Sequence, residues 1–157
     1  MTVSTLLTAE PIAADAELAG FIASARGAGA VVSFTGIARP QDHHGGHVQQ
    51  LLLEHYPGMT ERQLRAVADE AEARWPLQGI VVVHRYGRLV PGDRIVLVAV
   101  ASPHRAAAFE ACAFLMDWLK TQAPFWKREE TADGSRWVEA RPDDDAAAAR
   151  WSAKPPS

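Results

Sequence analysis

Cysteine is nearly absent from this sequence: Cys112 is the only one among 157 residues. A single cysteine excludes an intrachain disulfide and a structural zinc site made of cysteine thiolates, and it is compatible with a reducing compartment. Cys112 stands in an apolar-rich helical segment with no base at a catalytic spacing. We therefore interpret it as a small core residue and not as a nucleophile.

Long apolar runs and a strong basic excess are also missing. No stretch approaches the ~20 apolar residues of a membrane span, and residues 1–9 lack the basic start and long apolar centre of a signal peptide. The formal net charge of -3 argues against a protein that coats nucleic acid with a basic surface. We expect a cytoplasmic protein that binds neither membranes nor nucleic acid, so any anion site must be local.

Several catalytic motifs do not occur. The sequence has no G-x-x-x-x-G-K-S/T or G-x-G-x-x-G phosphate loop, no G-x-S-x-G elbow and no H-E-x-x-H zinc helix. Three histidines in residues 41–47 suggest a metal site, but that loop lacks a ligand frame, and the flexible pair Gly45-Gly46 favours a mobile solvent loop. We predict no metal and no cofactor.

What remains is an ordinary globular composition, 48% hydrophobic and 22% charged. This length and composition predict one domain over residues 1–151, followed by a frayed tail over residues 152–157. The hydrophobic periodicity predicts four helices and four strands, with a hairpin at Asp133-Gly134. The helices span 15–26, 60–75, 102–120 and 143–151, and the strands span 30–36, 48–56, 80–87 and 94–101.

Local signals add detail to these elements. The β-branched run 30–36 indicates a buried strand, and strands 80–87 and 94–101 indicate an antiparallel core pair. Thr60 with Gln63 has the capping-box pattern of a helix start. Ser102 is a predicted N-cap, with Pro103 at the first helical position. His84 and Arg85 could be catalytic, but a polar position on a strand usually faces solvent or a partner, which is the expectation here.

Residues 120–129, a segment that combines two lysines, an arginine and a Pro-aromatic core, carry the strongest functional signal. Pro124 cannot continue a helix, so Lys120 is predicted at a helix end and Lys127 just past the break. Lys120 also extends an apolar helical stripe through Phe109, Ala113 and Met116, which favours a pocket position. Two cations then face one place and suit a phosphate or carboxylate ligand, the alternative being a solvated basic helix terminus.

Several motifs in chain order resemble the molybdopterin synthase catalytic (large) subunit family. They cover roughly residues 30–151, and the two most specific are the Lys-Thr-Gln-Ala-Pro-Phe-Trp-Lys-Arg-Glu and Glu-His-Tyr-Pro-Gly-Met strings. The others are Val32 to Arg39, His84 to Gly87, Pro91 to Asp93 and Ser102 to Arg105. The resemblance implies an α/β (α+β) fold, hammerhead-like, with a mainly antiparallel sheet, an additional small antiparallel subdomain and packed helices.

The resemblance also implies the reaction and the partners. A small ubiquitin-like sulfur-carrier subunit with a C-terminal thiocarboxylate would give sulfur to cyclic pyranopterin monophosphate, and two transfers would make the molybdopterin dithiolene of the molybdenum cofactor pathway. Large subunits would form a homodimer within a heterotetramer. Two alternatives stay open: a non-catalytic scaffold that binds a ubiquitin-like Gly-Gly tail, and another enzyme that acts on a phosphate ligand.

The resemblance assigns site residues by motif. Lys120 and Lys127 would be catalytic, without a distinction between their roles. Both lysines and seven further residues would contact substrate: Arg39, His104, Arg105, Arg128, Ile37, Ala38 and Glu129. Ile37-Ala38 departs from the family's usual polar-then-valine pair, which leaves the local contacts of the Arg39 loop open.

One further expectation follows from helix geometry. Arg105 and Lys120 are 15 residues apart on one predicted helix, or about 22 Å at 1.5 Å per residue. A single phosphate cannot easily touch both side chains. We therefore predict that His104 and Arg105 reach the site from the other subunit of a homodimer.

Overall fold

The structure, a computed structural model, describes residues 2–42, 45–138 and 142–152. His43 and His44 of the histidine loop, Glu139 of the predicted hairpin and the tail beyond Ser152 lie outside the described residues. In chain order the elements are β1 Thr2–Thr8, α1 Ala14–Ser24, β2 Ala30–Ile37, β3 Val48–His55, α2 Met59–Arg74, β4 Gly79–Arg85, β5 Gly87–Leu89, β6 Arg94–Ser102, α3 Arg105–Thr121, β7 Phe125–Thr131, β8 Gly134–Val138 and α4 Pro142–Ala149.

The strands form two four-stranded sheets. The first has the order β1-β4-β6-β2, in which only the β1–β4 pair is parallel. The second is antiparallel throughout, with the order β5-β3-β7-β8. The predicted mixed fold with mainly antiparallel sheet is confirmed. The predicted β4–β6 pair and the hairpin at Gly134, whose φ is 122°, are confirmed as well.

Helices cover both faces of the first sheet. Residues alternate between the faces along β4, so Ile80 and Val82 pack in one cluster with Leu64 of α2 and Leu115 of α3. Val81 and Val83 pack on the other face, in the cluster that contains Phe21 of α1. Burying a side chain of this size stabilises the fold by about 1.5–3 kcal/mol. The apolar stripe of α2, which is Leu64, Val67, Ala68 and Ala71, is buried.

Cys112 belongs to this core, as predicted. It is 5% exposed and packs in the cluster between α3 and the first sheet. Burial raises the pKa of its thiol to about 11, which keeps the group protonated near neutral pH. The side chain therefore behaves as a small hydrophobic residue.

The strand predicted at 30–36 is present, but the prediction that it is buried is wrong. β2 lies at the edge of the first sheet and pairs only with β6, and no residue along it is fully buried. Phe34 is 40% exposed and Ile37 is 55% exposed. A β-branched run indicates a strand but does not reveal how many neighbours that strand has.

Both predicted helix starts are also wrong. α3 begins at Arg105, because Ser102 still belongs to β6 and its hydroxyl donates to the His104 carbonyl oxygen at 2.8 Å. α2 begins at Met59 after Gly58, whose positive φ of 83° sets the turn. Thr60 lies inside the first turn instead of capping it.

The apolar stripe predicted along α3 is wrong at Phe109, although Met116 of the same stripe packs against the core. Phe109 is 61% exposed and Lys120 is exposed, whereas the buried face carries Ala108, Ala111, Cys112, Phe114 and Leu115. Small alanines let a helix lie close to a sheet. The alanine-containing face of α3 is therefore the buried one, although the prediction looked for large apolar residues.

The described helices do not include one long and apolar enough to cross a membrane.

Candidate active site

Both sheets, α3 and α4 contribute to one cavity of about 520 Å³. β2 and the loop after it form one wall, and the start of β7 forms another. The end of β4 and the last turn of α3 also line it, together with residues of β3, β6, β8 and α4. Of the predicted site residues, the cavity brings together Ile37, Ala38, Arg39, Lys120, Lys127 and Glu129.

The two lysines approach the cavity from different elements. Lys120 is the next-to-last residue of α3, and Lys127 is the third residue of β7. Pro124 stands in the break between the helix and the strand. The side chains converge because a helix end and a strand start meet there.

A clamp on the α3–β7 connection comes from α2. The hydroxyl of Thr60, which is fully buried, accepts a hydrogen bond from the Tyr56 amide and donates one to the Pro124 carbonyl oxygen, both at 3.1 Å. Trp126 packs edge-to-face on Tyr56, with ring centroids 4.3 Å apart. These contacts fix the segment that separates Lys120 from Lys127.

Backbone hydrogen bonds hold the Arg39 loop. The Ala38 amide donates to the Asp93 carbonyl oxygen and the Gly92 amide donates to the Ala38 carbonyl oxygen, each at 2.8 Å. The Pro40 carbonyl oxygen accepts from the Val48 amide at 2.9 Å. The turn before β6 therefore sets where Arg39 meets the cavity.

The pKa of the Lys127 amino group is lower than that of an ordinary lysine. Burial lowers the pKa of its amino group, and the positive charges of Lys120 and Arg39 lower it further, while Glu129 and Asp144 act in the opposite direction. The Lys127 Nζ lies 3.9 Å from Oε1 of Glu129, a carboxylate that is 5% exposed. The neutral amine is therefore more accessible at Lys127 than at an ordinary surface lysine.

Arg128 does not line the cavity. Successive residues of β7 alternate between the faces of the sheet, so Lys127 and Glu129 face inward and Arg128 faces the other way. Its Nη2 lies 3.5 Å from Oε1 of Glu130, and its guanidinium lies 5.6 Å from the ring centroid of Trp137. The predicted substrate contact of Arg128 would have to be made on that other face and stays a prediction.

His104 and Arg105 are also outside the cavity lining. They stand at the first turn of α3, whereas Lys120 stands at its last turn, and the helix between them is continuous. Arg105 and Lys120 thus lie at opposite ends of one helix, as the prediction of a second subunit assumed. The contribution of the two residues to a shared site stays a prediction.

The expectation that His84 faces solvent is wrong, whereas its contact with a partner stays a prediction. The residue is 7% exposed, lines the cavity and stacks on Phe125 with ring centroids 4.1 Å apart and planes 18° apart. Its Nδ1 lies 2.8 Å from the Arg85 carbonyl oxygen. Sequence reasoning missed His84 and Asp144 as cavity residues, because only tertiary packing reveals which way each element end faces.

Within the described ranges, no group of three or more His, Cys, Asp or Glu side chains is arranged to hold a metal ion. The cavity instead presents cations around an apolar floor that includes Met116, Leu119 and Phe125. Such a lining suits an organic anion.

The fold and cavity define a class, an α/β protein of two sheets with cationic side chains in a shared cavity. The chain belongs to the MoaE family, since the family model described as "MoaE protein" matches residues 7–122.

Named relatives and solved structures agree with this family. The chain is 60% identical over 124 residues to the molybdopterin synthase catalytic subunit of Escherichia coli K12, covering 78% of this chain and 81% of that one. A molybdopterin biosynthesis MoaE protein from Burkholderia ambifaria superposes with a TM-score of 0.80 at 45% identity, covering 98% and 99% of the two chains. Molybdopterin synthase from Staphylococcus aureus gives a TM-score of 0.76 at 36% identity, covering 84% and 94%.

Proposed function

We propose that the chain is the catalytic subunit of a molybdopterin synthase. It transfers sulfur from the C-terminal thiocarboxylate of a small ubiquitin-like subunit to cyclic pyranopterin monophosphate and so forms the dithiolene of molybdopterin. The convergence of Arg39, Lys120 and Lys127 on one cavity carries this proposal, in a chain 60% identical to a named catalytic subunit of this enzyme.

The positive charges of the cavity are complementary to the negative charges of both reactants. A phosphate monoanion and a thiocarboxylate are each stabilised by charge-assisted hydrogen bonds, which strengthen where water is excluded. Arg39 suits the phosphate, because its planar guanidinium donates two parallel hydrogen bonds. The exposed Lys120 stands where a partner's tail can enter.

Burial distinguishes the chemical tasks of the two lysines. Lys127, whose pKa is lowered chiefly by burial, is suited to accept a proton as a neutral amine. Lys120 polarises the thiocarboxylate. In each transfer the thiocarboxylate sulfur attacks one substrate carbon, which loses its oxygen, and water then cleaves the resulting thioester at the acyl carbon. The small subunit leaves as a carboxylate, Lys127 accepts the proton of that water, and two transfers complete the dithiolene.

The proposal includes the assembly. Two copies of this chain form the centre of a heterotetramer with two small subunits, and each copy gives His104 and Arg105 to the cavity of the other. The separation of Arg105 from Lys120 along α3, about 22 Å, supports this exchange. A cytoplasmic location, which fractionation of cells would test, is also part of the proposal.

The direct test mixes the purified chain with a thiocarboxylated small subunit and cyclic pyranopterin monophosphate and measures molybdopterin. Product is expected with the thiocarboxylate and not with the ordinary carboxylate form of the same subunit. Binding of the small subunit without any product would reject the sulfur transfer and favour the scaffold alternative.

A further inference from the structure

His84 is a polar group in the cavity wall that the lysine and arginine chemistry does not use. It is the next-to-last residue of β4, where Leu7 of β1 and Val96 of β6 are its strand partners. With 7% of its surface exposed, the ring faces the cavity and not bulk solvent. A buried imidazole at such a place must satisfy its two nitrogens locally.

The hydrogen bond of Nδ1 fixes the tautomer. A carbonyl oxygen only accepts, so the 2.8 Å contact with the Arg85 carbonyl oxygen requires the proton on Nδ1. Burial lowers the pKa of the ring to about 4, and the charge of Lys120 contributes to the shift. The ring is therefore neutral near pH 7, and Nε2 carries a lone pair without a proton.

The orientation of the ring is also fixed. Phe125 covers one face in a nearly parallel stack, which prevents the imidazole from turning. Among the described residues, no donor hydrogen-bonds to Nε2. His84 thus presents a rigid, neutral acceptor in a cavity that also contains the donors Arg39, Lys120 and Lys127 and the charged carboxylates Glu129 and Asp144.

We propose that Nε2 of His84 accepts a hydrogen bond from an N–H or O–H group on the uncharged part of the substrate. The inference rests on the proposed function and deepens it, because the pterin ring system carries ring N–H and amino donors. The phosphate lies against the cations, and the heterocycle lies against His84, Phe125 and Met116. His84 thus selects for a donor-bearing ring, which cations alone would not distinguish from any other phosphate ester.

The test compares two ligands on matched variants. His84→Phe keeps an aromatic ring against Phe125 but has no acceptor, and His84→Gln places an amide oxygen near the position of Nε2. His55→Phe is the control, because His55 also packs on an aromatic ring, that of Tyr86 at 4.3 Å, but is not among the described residues that line the cavity. The ligands are cyclic pyranopterin monophosphate and inorganic phosphate, and calorimetry measures each Kd.

His84→Phe is expected to weaken binding of the pterin about tenfold to a hundredfold and to leave phosphate binding unchanged. His84→Gln should restore most of the loss, and His55→Phe should bind as the wild type. Equal pterin affinity in His84→Phe and the wild type, or an equal loss for both ligands, would overturn the inference. Failure of the wild type to convert the pterin would instead refute the proposed function.

A measurement on the wild type covers the case in which the Phe variant does not fold. In ¹⁵N-labelled protein, the His84 Nε2 resonance should be that of an unprotonated nitrogen and should shift on addition of the pterin but not of phosphate. An Nε2 resonance that the pterin leaves unmoved would contradict the proposed hydrogen bond.

Discussion

At the scale of single residues, the two lysines of the cavity, which we propose to be catalytic, differ in burial. Lys120 is exposed at the end of α3, whereas Lys127 is partly buried beside Glu129. Burial disfavours a charged amine, and a nearby cation disfavours it further. Lys127 is therefore the amine of the pair that its surroundings help to lose a proton.

Lys120→Ala is expected to reduce molybdopterin formation to nearly nothing, because it removes the cation that polarises the thiocarboxylate. The fold should persist, since the side chain is exposed and outside the core clusters. Turnover and thermal melting measured on the same sample check both statements. Retention of most activity would count against a catalytic role for Lys120.

The titration of Lys127 gives a second residue-scale prediction. Its pKa should lie below that of an ordinary lysine, and Lys120→Gln should raise it by removing a neighbouring positive charge. Glu129→Gln should lower it, because the lost carboxylate lies 3.9 Å from Nζ. Since the folded pKa is the lower one, this group's contribution to stability is complete above the unfolded pKa and is lost as pH falls through the folded pKa.

The measurement for Lys127 is a pH titration of ε-¹³C-labelled lysine followed by NMR, with Lys127→Arg used to assign the signal. If Lys127 titrated like the exposed lysine and ignored both substitutions, the described electrostatics of the cavity would be wrong.

At the scale of elements, the site depends on how α2, α3 and β7 are tied together. Thr60 of α2 holds the Pro124 carbonyl oxygen, so the connection between the two lysines is fixed from a third element. Neither end of this hydrogen bond belongs to the cavity lining. The positions of Lys120 and Lys127 should therefore respond to a substitution outside the cavity.

Thr60→Val keeps the shape of the side chain and removes the hydroxyl, which leaves the Tyr56 amide and the Pro124 carbonyl oxygen without that partner. The expected loss is about 1–3 kcal/mol in the free energy of unfolding, together with a drop in kcat. Thr60→Ser keeps the hydroxyl and should retain kcat. Urea denaturation and turnover check the pair, and equal kcat in both variants would show that the clamp does not position the lysines.

The elements themselves could mostly be predicted, because periodicity reports local preference. β4, β6, α2 and the β7–β8 hairpin occur where the sequence indicated them. Burial was harder to predict: β2 carries the same β-branched signal as β4, yet it has one neighbour instead of two. No local sequence signal indicates that His84 stacks on Phe125, because Phe125 lies 41 residues further along the chain.

At the scale of the whole molecule, the proposed active site requires residues from a second chain. His104 directly precedes α3, Arg105 is its first residue and Lys120 its next-to-last, and the helix between them is continuous. A two-fold arrangement in which each chain completes the other's cavity places both groups on one substrate. The activity of a mixed dimer therefore tests the central claim.

The measurement is molybdopterin formation by Lys120→Ala chains, Arg105→Ala chains and a mixture of the two after subunit exchange. Each variant alone should be nearly inactive. In the mixture about a quarter of the sites should be intact, because half of the dimers are mixed and each mixed dimer has one complete site. Recovery to that level is the predicted result, and a mixture as inactive as its components would contradict the account.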